Sequence, residues 1–159
     1  MQFREQPIQK DMEAVASILK NSGFFNEEEQ EVGVSLVRER LEQGEASLYF
    51  FQFAQEGEQV LGYTCFGPIP GTKFSYDLYW IAVKNEYRGQ GMGRLIMDRT
   101  EEKIKSMGGR RIYIETSSRD QYLPTQKFYE TCGYKEEARL KDFYSPFDDK
   151  IIYVKAIET

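Results

Sequence analysis

Apolar positions recur along this chain with two different periods. Residues 11–21 carry Met12, Val15, Ile18 and Leu19, the spacing of an amphipathic helix, and Gly23 follows as a stop. Asn26, followed by Glu27, Glu28 and Glu29, reads as the N-cap and acidic first turn of a second helix. That helix is expected to turn Val32, Leu36, Val37 and Leu41 inward and to end near Gly44. The period then shortens. Residues 48–53 and 60–66 read as two strands joined by a Glu56-Gly57-Glu58 turn. Gly67-Pro68 and Pro70-Gly71 break the chain, and residues 74–83 form a long, mostly apolar strand of central character. A helix is expected over residues 92–107, with Leu95, Ile96, Ile104 and Met107 on one face and Gly108-Gly109 closing it. Residues 111–116 read as a strand, 122–132 as a short helix closed by Gly133, and 134–140 and 151–157 as two further strands. Residues 2–6 supply a short edge strand ahead of Pro7.

The order is thus strand, two helices, three strands, helix, strand, helix, two strands. A strand–helix–strand crossover over residues 74–116 implies two parallel neighbours inside an otherwise mixed sheet. The expected class is α/β, with helices on both faces of the sheet. No repeat or linker interrupts the 159 residues, so residues 1–159 are read as a single domain.

Composition narrows the chemistry. The chain has no histidine. That excludes Ser-His-Asp and Cys-His catalysis and the histidine-containing zinc sites. Proton transfer falls to carboxylates, tyrosine, cysteine, lysine or water. A net charge of −5 argues against a nucleic-acid partner. Cys65 and Cys132 sit in no metal or redox spacing, and no long apolar run or signal peptide is present. The expectation is a cytoplasmic protein with free thiols, no metal and no membrane partner. Cys132 reads as a small buried hydrophobe, with an acyl-carrying nucleophile as the alternative.

The sharpest feature is Arg88-Gly89-Gln90-Gly91-Met92-Gly93, which follows a strong strand and opens a helix. Such a loop gathers unpaired backbone N–H groups at a positive dipole end, a setting for a pyrophosphate. It is not a P-loop, for the Lys-Ser/Thr pair is missing. Nor is it the dinucleotide fingerprint, because Arg94 stands at the third glycine position. A plain glycine-rich turn is the alternative on these residues alone.

Arg88-x-x-Gly91-x-Gly93 resembles the Q/R-x-x-G-x-G/A motif of the GNAT superfamily of acetyl-CoA-dependent N-acetyltransferases. Residues 81–91 resemble that family's fourth strand running into its pyrophosphate loop. Downstream, Phe128-Tyr129-Glu130-x-x-Gly133-Tyr134 resembles the family's F-Y-x-x-x-G-F/Y segment. The resemblance covers residues 76–134 firmly and the rest loosely. It implies a mixed, mostly antiparallel central sheet with a splayed parallel strand pair. It implies that acetyl-CoA is the acyl donor and that an amine-bearing small molecule or peptide is the acceptor. The backbone of Ile81, Ala82 and Val83 would hold the pantetheine arm and thioester carbonyl. Gly89, Gln90, Gly91, Met92, Gly93 and Arg94 would hold the pyrophosphate, with Arg88 adding a charge-assisted contact.

By the same resemblance Tyr129 matches the tyrosine that donates a proton to the departing thiolate. The attacking ammonium must first lose a proton, at a cost of roughly 4–5 kcal/mol at neutral pH. Asp77 is the first candidate base, and it shares a strand face with Tyr79 if alternation holds; Glu115 is the second. For both, a solvated or structurally paired carboxylate is the alternative. The chain departs from the family where many members carry an Asn and a small residue ahead of the Phe-Tyr pair. Tyr122 and Thr125 stand there instead, with Pro124 between them. Residues 142–149 either line an acceptor pocket or form an exposed hairpin loop. A CoA-binding module without turnover, and a transferase for another acyl-CoA, remain the competing readings. A homodimer is compatible with all of them.

Overall fold

Asn26 shows how far local chemistry decides this fold. Its side-chain oxygen accepts the Glu29 amide at 2.8 Å, and the Glu29 carboxylate accepts the Asn26 amide at 3.0 Å. This capping box opens α2 (Glu27–Gln43). The preceding α1 (Asp11–Ser22) ends at Gly23, whose φ of 80° is left-handed. The computed structural model describes residues 1–157. The remaining elements are β1 (Gln2–Arg4), β2 (Phe50–Glu56), β3 (Gln59–Pro68), β4 (Ser75–Val83), α3 (Met92–Ser106), β5 (Arg111–Ser117), α4 (Leu123–Thr131), β6 (Lys135–Ser145) and β7 (Asp148–Ala156). The sheet order is β1-β2-β3-β4-β5-β7-β6. β1–β2, β2–β3, β5–β7 and β6–β7 pair antiparallel, and β4–β5 is parallel. The class is the expected mixed α/β architecture.

The chain divides into two compact units. The first comprises residues 1–67 and 80–102. Its core joins Val15, Ile18 and Leu19 of α1 to Leu36 and Val37 of α2 and to Phe51, Phe53, Leu61 and Tyr63 of the β2–β3 hairpin. The two faces of β3 carry different helices. On one face Gly33 of α2 comes so close to Leu19, Trp80 and Tyr63 that a Cβ there would lie 2.3 Å from the Leu19 side chain. On the other, Gly62 lies under Ile96 of α3, and the Thr64 and Thr100 hydroxyls meet at 2.6 Å.

Three local expectations need correction. Val32 and Leu41 are 48% and 38% exposed rather than inward. The inward stripe of α2 runs through Gly33, Leu36, Val37 and Arg40 instead, because Gly33 must face its close neighbours. Arg40 is accommodated by donating to the Tyr49 carbonyl at 3.0 Å and lying over the Phe50 ring. Leu95 is likewise exposed, and Ile96, Met97, Thr100 and Ile104 carry the buried face of α3. β2 begins at Phe50 rather than Leu48, since Leu48 adopts φ 64° and closes a 3-10 turn over Gly44–Ser47.

The second unit comprises residues 68–79 and the chain from 103 onward. β7 lies between β5 and β6, and its register against β5 runs from Arg111↔Ala156 to Ser117↔Lys150. The parallel pairing of β4 joins Ser75, Tyr76 and Asp77 to Arg111, Ile112 and Tyr113. Tyr76, Leu78, Ile112, Ile114, Ile151 and Tyr153 are buried. Gly109 is required by packing: a Cβ there would sit 2.4 Å from Ile104 and 2.8 Å from the Tyr76 ring. Residues 142–149 are mostly strand, with Ser145 paired to Asp148 and the tip at Pro146-Phe147. Phe143, Tyr144 and Phe147 are all exposed there.

Candidate active site

In the first unit β4 leads directly into the glycine loop. Ala82 is buried, with Ile81 and Val83 half-buried beside it. The Lys84 amide donates to the Leu61 carbonyl at 2.8 Å, which anchors the strand end to β3. A 3-10 turn over Asn85–Tyr87 then redirects the chain, with Tyr87 N–H donating to the Lys84 carbonyl at 2.9 Å. Gly89 and Gly91 adopt φ 72° and 84°, the left-handed region that favours glycine. No atom lies within 4 Å of where a Cβ would stand on either residue. These glycines therefore serve backbone shape and leave the loop's surface unobstructed.

Helix α3 begins at Met92, and the first intrahelical bond that reaches back to the loop runs from Leu95 N–H to the Gly91 carbonyl at 3.1 Å. The amides of the first turn lack helical acceptors by geometry and point out of the helix end. They concentrate partial positive charge beside an open glycine surface, which fits a pyrophosphate. The side chains of the loop are already engaged. Gln90 donates to the Glu86 carbonyl at 2.8 Å, and Arg94 lies 3.4 Å from Asp98. The Arg88 guanidinium lies over the Phe24 ring, 4.7 Å from its centroid.

The second unit holds the proton-transfer candidates. α4 ends in a Schellman arrangement: Gly133, at φ 93°, donates to the Glu130 carbonyl at 3.0 Å, and Tyr134 donates to the Tyr129 carbonyl at 3.0 Å. That termination gives the glycine of the Phe-Tyr segment a structural reason. It also fixes Tyr129, which packs against Phe128, Tyr134 and Tyr153 with ring centroids about 6 Å apart and is 5% exposed. Burial, and secondarily the neighbouring Cys132, push its phenol well above the usual value, so it is protonated at neutral pH. Among the described residues no fully buried side-chain polar atom lacks a hydrogen-bond partner.

Asp77 is half-buried on β4, opposite Tyr113. Its alternation with buried Tyr76 and Leu78 puts it on the same strand face as Tyr79. Burial first, then the Glu115 charge, raise its pKa above 3.8, and Lys150 opposes them. Glu115 is bound by Lys150 at 3.0 Å, and Lys150 also lies over the Phe143 ring. Lys150 is a component that sequence reasoning did not single out. Only the β5–β7 register, which sets Lys150 opposite Ser117, brings it to Glu115.

The structure thus gathers residues 81–94 into one strand–loop–helix and gathers Asp77 with Glu115. It does not bring Tyr129 to those carboxylates. Tyr153, which Tyr129 contacts, pairs with Ile114, whereas Glu115 pairs with Ile152, so the phenol and the carboxylates lie on opposite sheet faces of this unit. Among the described residues no three Cys, Asp or Glu side chains gather as a metal site requires, and no helix is long and apolar enough to cross a membrane.

This strand, loop and helix, followed by the Phe-Tyr segment, match the model of the acetyltransferase (GNAT) family over residues 12–134. The chain belongs to that family, and it is an acyltransferase domain of the GNAT fold. A solved GNAT-family protein from Desulfovibrio desulfuricans is 41% identical over 99% of both chains, with a TM-score of 0.97. An aminoglycoside 6'-N-acetyltransferase complexed with coenzyme A shares the fold at 19% identity, covering 100% of this chain and 98% of its own, with a TM-score of 0.79. The ribosomal-protein-S18-alanine N-acetyltransferase from Escherichia coli does so at 18% identity, covering 99% and 96%, with a TM-score of 0.76. No curated protein sequence matches the chain.

Proposed function

We propose that this protein transfers the acetyl group of acetyl-CoA to a primary amine by direct attack. The observation that carries the reading is the loop at the head of α3. Two left-handed glycines with open surroundings meet a helix N-terminus, in a chain that belongs to an acetyltransferase family. In this reading Gly89, Gln90, Gly91, Met92, Gly93 and Arg94 bind the pyrophosphate mainly through main-chain N–H groups. Arg88 adds a charge-assisted contact. The backbone of Ile81, Ala82 and Val83 aligns the pantetheine arm and polarises the thioester carbonyl.

The chemistry then balances as follows. The amine lone pair attacks the thioester carbon, the carbon–sulfur bond breaks, and its electron pair leaves on sulfur. Tyr129 donates its phenolic proton to that sulfur, the acylated nitrogen gives up its second proton through water to restore the phenol, and free CoA thiol and an acetamide result. Burial keeps the phenol protonated at neutral pH, so its proton is present as the thiolate departs. Asp77, directly or through a water, takes the proton the ammonium must lose. A carboxylate whose pKa is raised toward neutral is a stronger base than an exposed one. Glu115, held by Lys150, is the second candidate.

The relatives named above act on an aminoglycoside and on a ribosomal-protein alanine, both of which offer primary amines. An amine acceptor of the small-molecule or peptide class is therefore proposed here too. Both cysteines are buried free thiols, which suits a reducing, cytoplasmic setting. The test is a panel of amino acids, polyamines, aminoglycosides and peptide N-termini, incubated with acetyl-CoA while thiol release is followed. At least one amine is expected to release thiol and gain an acetyl group. CoA binding in calorimetry without turnover on any amine would leave a binding module instead.

A further inference from the structure

The four-residue link between α1 and α2 is held unusually firmly for a loop. Ser22 donates its hydroxyl to the Leu19 carbonyl at 2.9 Å and accepts the Phe24 amide at 3.3 Å. Gly23 turns the chain in the left-handed region, and Asn26 is locked by its capping box. Phe25 packs edge-on to Trp80 at 5.7 Å, and its carbonyl accepts from Gln30 at 2.9 Å. Trp80 in turn donates to the Tyr63 hydroxyl at 2.7 Å. The end of α1 is tied to the approach of the glycine loop, for the Asn85 side chain donates to the Asn21 carbonyl at 2.6 Å. Phe24 is therefore a fixed platform, and the Arg88 guanidinium rests on its ring at 4.7 Å.

Arg88 is exposed, and an exposed arginine ordinarily samples many rotamers. Stacking on an aromatic face restricts that freedom and leaves the guanidinium N–H edge available to a phosphate. We infer that Phe24 is a positioning residue for acyl-donor binding: its ring holds the Arg88 guanidinium ready for the pyrophosphate of CoA. The inference rests on the pyrophosphate role proposed for Arg88. It makes part of the donor affinity depend on a residue in the α1–α2 link, outside the glycine loop.

A double-mutant cycle read by calorimetry with CoA tests it. Phe24→Ala is expected to weaken CoA binding about threefold to tenfold, the range of a partly exposed cation–π contact. Phe24→Tyr, which keeps the ring, is expected to bind CoA like the parent. Phe24→Ala combined with Arg88→Ala is expected to bind no more weakly than Arg88→Ala alone. Independent, multiplicative losses would overturn the inference, as would a Phe24→Tyr variant as weak as Phe24→Ala. Parent-like CoA affinity in Arg88→Ala would instead overturn the role of Arg88 itself, and the inference with it.

Discussion

Burial raises the pKa of both Tyr129 and Asp77, which keeps the Tyr129 phenol protonated at neutral pH and makes Asp77 a stronger base. For Tyr129, replacing the phenol by Phe keeps the ring packing against Tyr134 and Tyr153 and removes only the proton. Turnover should fall by about a hundredfold, while CoA affinity stays within about twofold. Parallel calorimetry and thiol-release assays check both halves, and unchanged turnover would remove Tyr129 as the acid. For Asp77, burial and Glu115 raise the pKa above 3.8, so the folded protein binds this proton more tightly than the unfolded chain does. Stability contributed by the protonated form is lost as pH rises from about that value through the raised one. Asp77→Asn should therefore melt somewhat higher at neutral pH while losing most activity, a trade that a paired structural carboxylate would not show. Lys150 opposes the upward shift. In Lys150→Met the acidic limb of the pH–rate profile should move to higher pH, and an unmoved limb would argue against Asp77 as the base. Tyr129 and Asp77 stand in or beside recognisable sequence segments, so both could be named as candidates from the sequence. Lys150 was not, because its meeting with Glu115 is a product of β5–β7 register and not of sequence distance.

Elements divide along the same line. Asn26 and the α2 capping box could be read from four adjacent residues, because every partner is local. The inward face of α2 could not. Val32 and Leu41 have the right period, yet the helix rolls to present Gly33 to Leu19 and Trp80, with Arg40 beside the Phe50 ring. Tertiary contact outranks the hydrophobic period there. The same holds at β2, where the positive φ of Leu48 spends two expected strand residues on closing a turn. Gly109 gives a sharp test at this scale. Its missing Cβ leaves room for Ile104 and the Tyr76 ring, so Gly109→Ala should cost about 1–3 kcal/mol by overpacking, read in a denaturant or thermal melt. An unchanged melt would mean that α3 and β4 can separate there without penalty.

For the molecule as a whole, element order, the parallel β4–β5 pair and the family were legible in the sequence. The placement of β7 between β5 and β6 was not, since nothing local tells a final strand to insert rather than to add at the edge. The family match ends at residue 134, so β6 and β7 lie outside the segment that carries the family motifs. If the glycine loop binds the acyl donor, acetyl-CoA at about a hundred times its Kd should stabilise the folded protein by about 2.7 kcal/mol, visible as a raised Tm. The central claim is direct transfer from acetyl-CoA to an amine, without an acyl-enzyme. Its most direct test is the initial rate of thiol release with acetyl-CoA and the best acceptor of the panel varied together. Intersecting double-reciprocal lines, with acetyl recovered only on the amine, are the predicted result. Parallel lines with acetyl trapped on the protein, at Cys132 for instance, or no thiol release with any amine, would contradict it.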